Sequence, residues 1–137
     1  MNAPGQIAAG QELPSLELHL TRVDVVRYAG AATDFNPIHY SDRLARAIGL
    51  PGVVAHGMWS MGAALRIVTD WIADPSRVVS YFVRFVRPVP VPDDDQGTTM
   101  QVRATVTAVA DQTATIAIEV THGRDKVLGA AKAEIKL

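Results

Sequence analysis

From Gly57 to about Ile72 the chain reads Met58, Trp59, Met61, Ala63, Ala64, Leu65, Ile67, Val68 and Trp71, apolar nearly all the way round a helix. Such a helix is expected to be buried on most faces. Its Met and Trp positions read as core. Asp74-Pro75 closes the segment. Three segments of period-two alternation follow: Met100 to Ala108, Ala114 to Val120 and Val127 to Ile135. Asp111-Gln112 and Gly123-Arg124-Asp125 are hairpin-sized connections between them. Leu16, Leu18 and Leu20 alternate with Glu17 and His19, which predicts a short half-buried strand with His19 facing solvent. Val78 to Val89 is rich in β-branched and aromatic residues until Pro88, Pro90 and Pro92 end it. One buried helix with about five antiparallel strands is an α+β layer arrangement.

Two shorter helices precede the long one. Thr21-Arg22-Val23-Asp24 has the form of a capping box. Val25, Tyr28, Ala29 and Ala32 then recur at helical spacing. Ser41 caps a second short helix, with Leu44, Ala47 and Ile48 expected on its inner face. Residues 1–12 read as a loose arm, and Asp93-Asp94-Asp95 with Gly97 as a solvated loop.

A chain of 137 residues fits a single domain, 1–137. The net charge of −1 gives no electrostatic footprint for a nucleic-acid partner. Cysteine is absent, which excludes disulfides, thiol catalysis and cysteine-ligated metal. No signal-peptide pattern and no membrane-spanning run is visible, so a cytoplasmic location is expected.

Between the two short helices lies Asp34-Phe35-Asn36-Pro37-Ile38-His39, a carboxylate and an imidazole five residues apart. Pro37 fixes its own φ and pushes Asn36 toward extended geometry, so the segment is a stiff corner able to aim two side chains at one point. Asn36 has an amide with which to brace the loop. A carboxylate and a histidine together can hold and polarise one water molecule. The same residues also suit a plain turn, and spacing alone leaves both readings open. At the start of the long helix, Gly57 offers an unsatisfied backbone donor at the positive end of the helix dipole, or simply meets a turn requirement. The ligand types of Asp34, His39 and His56 suit zinc, yet no close His-x-x-x-His pair supports one, and no metal is expected. Gly-x-Ser-x-Gly is absent, and Ser60 lies inside the apolar helix.

Tyr28, the block Asp34-x-Asn36-Pro37-Ile38-His39, Ala45 and then Ala55-His56-Gly57-Met58 resemble, in order and separation, the signature of the MaoC-like (R)-specific enoyl-thioester hydratase/dehydratase family. The similarity extends in particular to the catalytic β subunits of mycobacterial-type (3R)-hydroxyacyl-carrier-protein dehydratases. One departure is Ala32-Thr33, where the family often has Ser-Gly before the aspartate. The resemblance implies a hot-dog fold, with the sheet wrapped around the central helix. It implies a lyase that interconverts a (3R)-hydroxyacyl thioester and a trans-2-enoyl thioester plus water. Asp34 and His39 would be catalytic, Asn36 and Pro37 loop support, and the Gly57 N–H the oxyanion donor. His56 is expected only to shape the turn. No dissociable cofactor is implied, the substrate being carried on coenzyme A or acyl carrier protein. Arg84 and Arg87 read as solvated and stand outside the site. The family pairs two hot-dog protomers, so a homodimer, or a heterodimer with a related hot-dog subunit, is expected. Other hot-dog proteins are thioesterases, commonly with a carboxylate near the start or middle of the central helix. The only acid on this helix is Asp70, near its far end. A non-catalytic acyl-binding subunit is the other alternative.

Overall fold

The structure, a computed structural model, describes residues 6–137. The element order is β1 (Leu16–Leu20), α1 (Arg22–Ala32), α2 (Asp42–Ala47), α3 (Gly57–Ile72), β2 (Val78–Phe85), β3 (Thr98–Ala110), β4 (Thr113–His122) and β5 (Asp125–Lys136). Single 3-10 turns occupy Pro37–His39 and Pro75–Arg77. The five strands form one antiparallel sheet in the order β1-β3-β4-β5-β2. This is the α+β arrangement that the alternating segments predict.

The sheet's inner face and one stripe of α3 make the core. Met100, Val102 and Val106 of β3, Ile116 and Val120 of β4 and Ala133 and Ile135 of β5 are buried, with Ala64, Ile67 and Val68 of α3 packed into the same cluster. Each fully buried large side chain contributes about 1.5–3 kcal/mol before entropy is counted. Tyr81 of β2 donates its hydroxyl to the Met61 carbonyl at 2.8 Å, tying the edge strand to the helix. Burial pushes that hydroxyl's pKa up to about 12.

The expectation that α3 is buried on most faces is only partly met. Ser60, Ala64, Ile67 and Val68 are buried, whereas Met58 is 59% exposed and Met61, Ala63 and Leu65 are half-buried. Apolar density alone does not say which neighbours cover a helix. On α2 the buried residue is Ala45; Ala47 and Ile48 face solvent. The Ser41 hydroxyl does cap that helix, accepting from the Leu44 N–H at 3.2 Å. The Thr21 capping box is also present: the Asp24 carboxylate accepts from the Thr21 N–H and from its hydroxyl.

The strand expected over Val78 to Val89 ends at Phe85. Beyond it the proline-rich stretch leaves the sheet and pairs with residues 53–55. The Ala55 N–H donates to the Val89 carbonyl at 2.9 Å and the Val91 N–H to the Val53 carbonyl at 2.9 Å. Proline cannot continue a two-sided ladder, but it tolerates this one-sided strap. The alternation in β5 is also broken. Val120 pairs with Leu128 and Thr121 with Lys126, so Val127 is an extra residue and both Val127 and Leu128 point inward. A second bulge falls at Ala130, whose φ is +48°.

The loose arm expected over residues 1–12 is corrected for its later part; residues 1–5 lie outside the described residues. Gly10 donates to the Val106 carbonyl, Val106 donates to Gln11 and Leu13 donates to Ala104, so this stretch extends the sheet alongside β3. The open edge of β3 beyond its pairing with β1 supplies the unpaired groups that capture it.

Candidate active site

α1 ends at Ala32, two residues before Asp34. Thr33 closes the helix with φ +54°, a left-handed conformation that favours glycine. A β-branched residue there is strained, and here the strained residue directly precedes Asp34. Thr33→Gly is therefore expected to stabilise the protein by about 1 kcal/mol. Thermal unfolding checks this; an unchanged or lower melting temperature refutes it.

From this cap the chain enters the corner. The Asn36 N–H donates to the Asp34 carboxylate at 3.2 Å, and the Asn36 side-chain oxygen accepts from the Ile38 N–H at 3.3 Å. Pro37 opens the 3-10 turn that delivers His39. The result brings the Asp34 carboxylate within 3.9 Å of His39 Nε2, with the aspartate side chain 47% exposed and the imidazole 8% exposed. That separation is too long for a direct hydrogen bond and suits a shared water.

The His39 tautomer is set from behind. Its Nδ1 lies 2.7 Å from the Val54 carbonyl, which can only accept, so Nδ1 carries the proton and Nε2 is left for the Asp34 side. His56 contributes more than turn shape. Its ring stacks on His39 with centroids 3.7 Å apart, and Tyr28 packs edge-on against it at 4.8 Å. Its Nε2–H donates to the Asp34 backbone carbonyl at 3.2 Å. Burial, the largest cause, holds its pKa below the usual histidine value, so His56 is a neutral plate behind the pair. Its Nδ1 is buried with no partner among the described residues.

Asp34, His39 and His56 present potential ligand atoms within 4.8 Å of one another. Metal ligation nevertheless fits poorly. The two imidazoles are stacked, so their in-plane lone pairs run side by side, and His39 Nδ1 is committed to Val54.

His39 and Gly57 both line a cavity of about 350 Å³, walled chiefly by apolar residues including Ile38, Val54, Phe85, Val89, Val127 and Leu128. Gly57 is the first residue of α3, and no side chain caps that end. A Cβ on Gly57 would meet the Phe85 ring at 3.0 Å, so the glycine lets the aromatic ring lie over the helix start. Sequence reasoning passed over three residues here. Ser60, 2% exposed, lines the same cavity, but its place within an apolar helix gave no signal. Among the described residues Arg87 is the one arginine, lysine or carboxylate in the cavity lining, and it has a loose ionic contact with Asp125 at 3.8 Å. His56, read only as a turn residue, was the third. Asp70 pairs with Arg66 at 3.2 Å on the last turn of α3. Thirteen residues at 1.5 Å per residue put it about 20 Å from Gly57.

Residues 6–127 match the family described as the MaoC like domain, and the chain belongs to that family. A 3-hydroxyacyl-thioester dehydratase X from Mycobacterium tuberculosis is 38% identical over 79 residues, covering 58% of this chain and 27% of that protein. The fatty acid synthase subunit beta of Saccharomyces cerevisiae is 41% identical over 61 residues, 43% of this chain and 3% of that protein. The chain thus spans well under two thirds of these curated relatives. Among solved structures, a MaoC-like dehydratase superposes with a TM-score of 0.92 at 31% identity, over 96% of this chain and 41% of that one. The ChsH1-ChsH2 complex from Mycobacterium tuberculosis matches with a TM-score of 0.81 at 27% identity, over 95% of this chain and 98% of that one. The fold is the hot-dog fold. No helix among the described residues is long and apolar enough to cross a membrane.

Proposed function

We propose that this chain is a lyase interconverting a (3R)-hydroxyacyl thioester and a trans-2-enoyl thioester plus water, in fatty acid metabolism or synthesis and in the cytoplasm. The observation that carries the reading is the Asp34–His39 pair, 3.9 Å apart, beside an apolar cavity that also meets the uncapped start of α3. The names of the dehydratase relatives support it.

The chemistry follows from these parts. In hydration, a water held between the Asp34 carboxylate and His39 Nε2 bonds its oxygen to C3 of the enoyl group and gives up one proton to the Asp34–His39 pair. Charge moves onto the thioester oxygen, where the Gly57 N–H donates to it. A proton from the Asp34–His39 pair is then delivered to C2. Dehydration reverses each step. Two groups this close titrate as a pair, so the proton belongs to the dyad. No electron changes hands, and the reaction needs no dissociable cofactor. Asn36 and Pro37 hold the corner in which Asp34 and His39 converge.

The deciding experiment follows loss of the enone absorbance of a crotonyl thioester, with free thiol measured in parallel. Enone loss without thiol release supports a hydratase. Thiol release identifies a thioesterase, and neither signal leaves an acyl-binding subunit. Running the substrate on coenzyme A and on acyl carrier protein assigns the carrier.

Gly57→Ala tests the donor. The added methyl displaces the Phe85 ring, which is half exposed and free to swing, so the melting temperature should change little. Turnover should fall about tenfold or more as the ring or the helix start shifts against the substrate oxygen. Unchanged activity would leave the glycine with a packing role only.

We also propose that the chain works as a dimer. β2 lies at the sheet edge, and Val79, Phe82, Phe85, Val86 and the start of α3 at Met58 are about half exposed. An apolar edge of this kind invites a second chain. The partner is a second copy or a related hot-dog subunit that supplies the acyl-binding surface. Light scattering at micromolar concentration should give a dimer mass, and a monomer refutes the proposal. If a homodimer turns over long-chain substrate as fast as a co-expressed pair, the two-subunit version fails.

A further inference from the structure

The Val54 peptide holds the catalytic corner from both sides. Its N–H donates to the Ile38 carbonyl at 3.1 Å and its carbonyl accepts from His39 Nδ1 at 2.7 Å. Yet Val54 belongs to no strand; among the described residues its one sheet-like contact is a bridge to Pro90. The strap bonds of its neighbours, Ala55 N–H to Val89 and Val91 N–H to Val53, hold this backbone on one side, and the Val53 N–H faces away from them toward α2.

Asp42 and Arg22 hold that other side. The Asp42 Oδ1 accepts from the Val53 N–H at 2.8 Å and from Arg22 Nη2 at 2.8 Å, while Oδ2 accepts from the same nitrogen at 3.1 Å. Arg22 also donates through Nε to the Val91 carbonyl. One guanidinium thus joins the start of α1 to the start of α2 and to the strap that backs Val53 and Ala55. The pair is half-buried, with side-chain exposures of 22% and 29%. Gly52 keeps the space open: a Cβ there would meet the Asp42 carboxylate at 2.9 Å. Asp42 is not the cap of α2, because Ser41 already performs that task. Its carboxylate is turned toward Val53 and Arg22 instead.

We propose that Arg22 and Asp42 are positioning residues that fix the tautomer and aim of His39 through the Val54 peptide. The proposal rests on the catalytic reading of His39. Without the clip, residues 53–55 keep only their bonds to Ile38, His39 and residues 89–91. The carbonyl facing His39 Nδ1 then wanders, and with it the ring. Displacements near 1 Å in a reacting group cost up to about a hundredfold in rate.

The test uses the full chain with Asp42→Asn, Arg22→Ala and Arg22→Lys. Crotonyl-thioester hydration gives kcat and KM, and ¹⁵N NMR of the His39 ring reads its tautomer. Asp42→Asn and Arg22→Ala should lower kcat about tenfold or more with KM within about twofold, and mix the His39 ring signals. Arg22→Lys keeps the charge but loses the two-pronged geometry, and should recover part of both readouts. A lower melting temperature with unchanged kcat and an unchanged His39 signal would reduce the clip to a structural ion pair and overturn the proposal. Should Asp42→Asn fail to fold, Arg22→Lys carries the same readouts. If the unaltered protein hydrates no thioester, the functional reading has failed, while the His39 ring signal still decides whether the clip sets the tautomer.

Discussion

Asp34→Asn and His39→Ala are each expected to remove most turnover, on the order of a hundredfold or more. The two changes differ in what they do to the fold. Asp34 is half exposed, and among the described residues its carboxylate receives only the Asn36 N–H, a bond the amide oxygen of asparagine can still accept. Its melting temperature should hardly move. His39 is buried, and its loss strands the Val54 carbonyl, an unmet acceptor that costs about 1–3 kcal/mol. His39→Ala should therefore fold but melt earlier. The double variant should be little worse in turnover than either single one, because residues that act as a unit are not additive. Near-normal activity in Asp34→Asn would end the assignment.

Gly97→Ala is expected to be among the most destabilising single changes in the chain. Gly97 has φ +66°, and a Cβ there would sit 2.2 Å from the Leu20 carbonyl oxygen and 3.0 Å from the Thr21 Cα. These are backbone atoms of a buried strand end, with Leu20 paired to Thr98, so neither side can step back. The loop is also pinned from within: the Asp94 carboxylate accepts from the Gln96 and Gly97 N–H groups at 2.9 and 2.7 Å. The expected loss exceeds about 4 kcal/mol, a large share of the stability of a domain this size. Gly123→Ala is the control. Its φ is +59°, but a Cβ there meets nothing, so only the conformational penalty of about 1 kcal/mol remains. Equal drops in melting temperature for the two variants would show that the contact with Leu20 is not the cause.

The elements that the sequence made legible are those whose signals are local. α3 could be bounded at Gly57 and Ile72 because its apolar run is long and stops at Asp74-Pro75. The capping box at Thr21 and Asp24 and the hydroxyl cap at Ser41 needed no tertiary information. The corner holding Asp34 and His39 could be seen as a corner, since Pro37 dictates it. What escaped depends on distant partners. Asp42 finds Arg22 twenty residues back and Val53 eleven residues ahead, and nothing in helical spacing marks such a reach. The bulges in β5 leave the residue types untouched while changing which of them face inward. Likewise His56 looked like turn material until its ring was seen against His39 and Tyr28.

The pairing of distant segments has a temporal consequence. Leu18 meets Met100, and Val54 meets Pro90. Closing such wide loops costs entropy before any contact repays it, which places chains of this topology among the slower folders. During synthesis the Asp34–His39 corner emerges long before the strap residues and strands that brace it. The apolar side of α3 likewise waits for β3, β4 and β5. The window between the emergence of α3 and the closing of the sheet is when this chain is most open to aggregation.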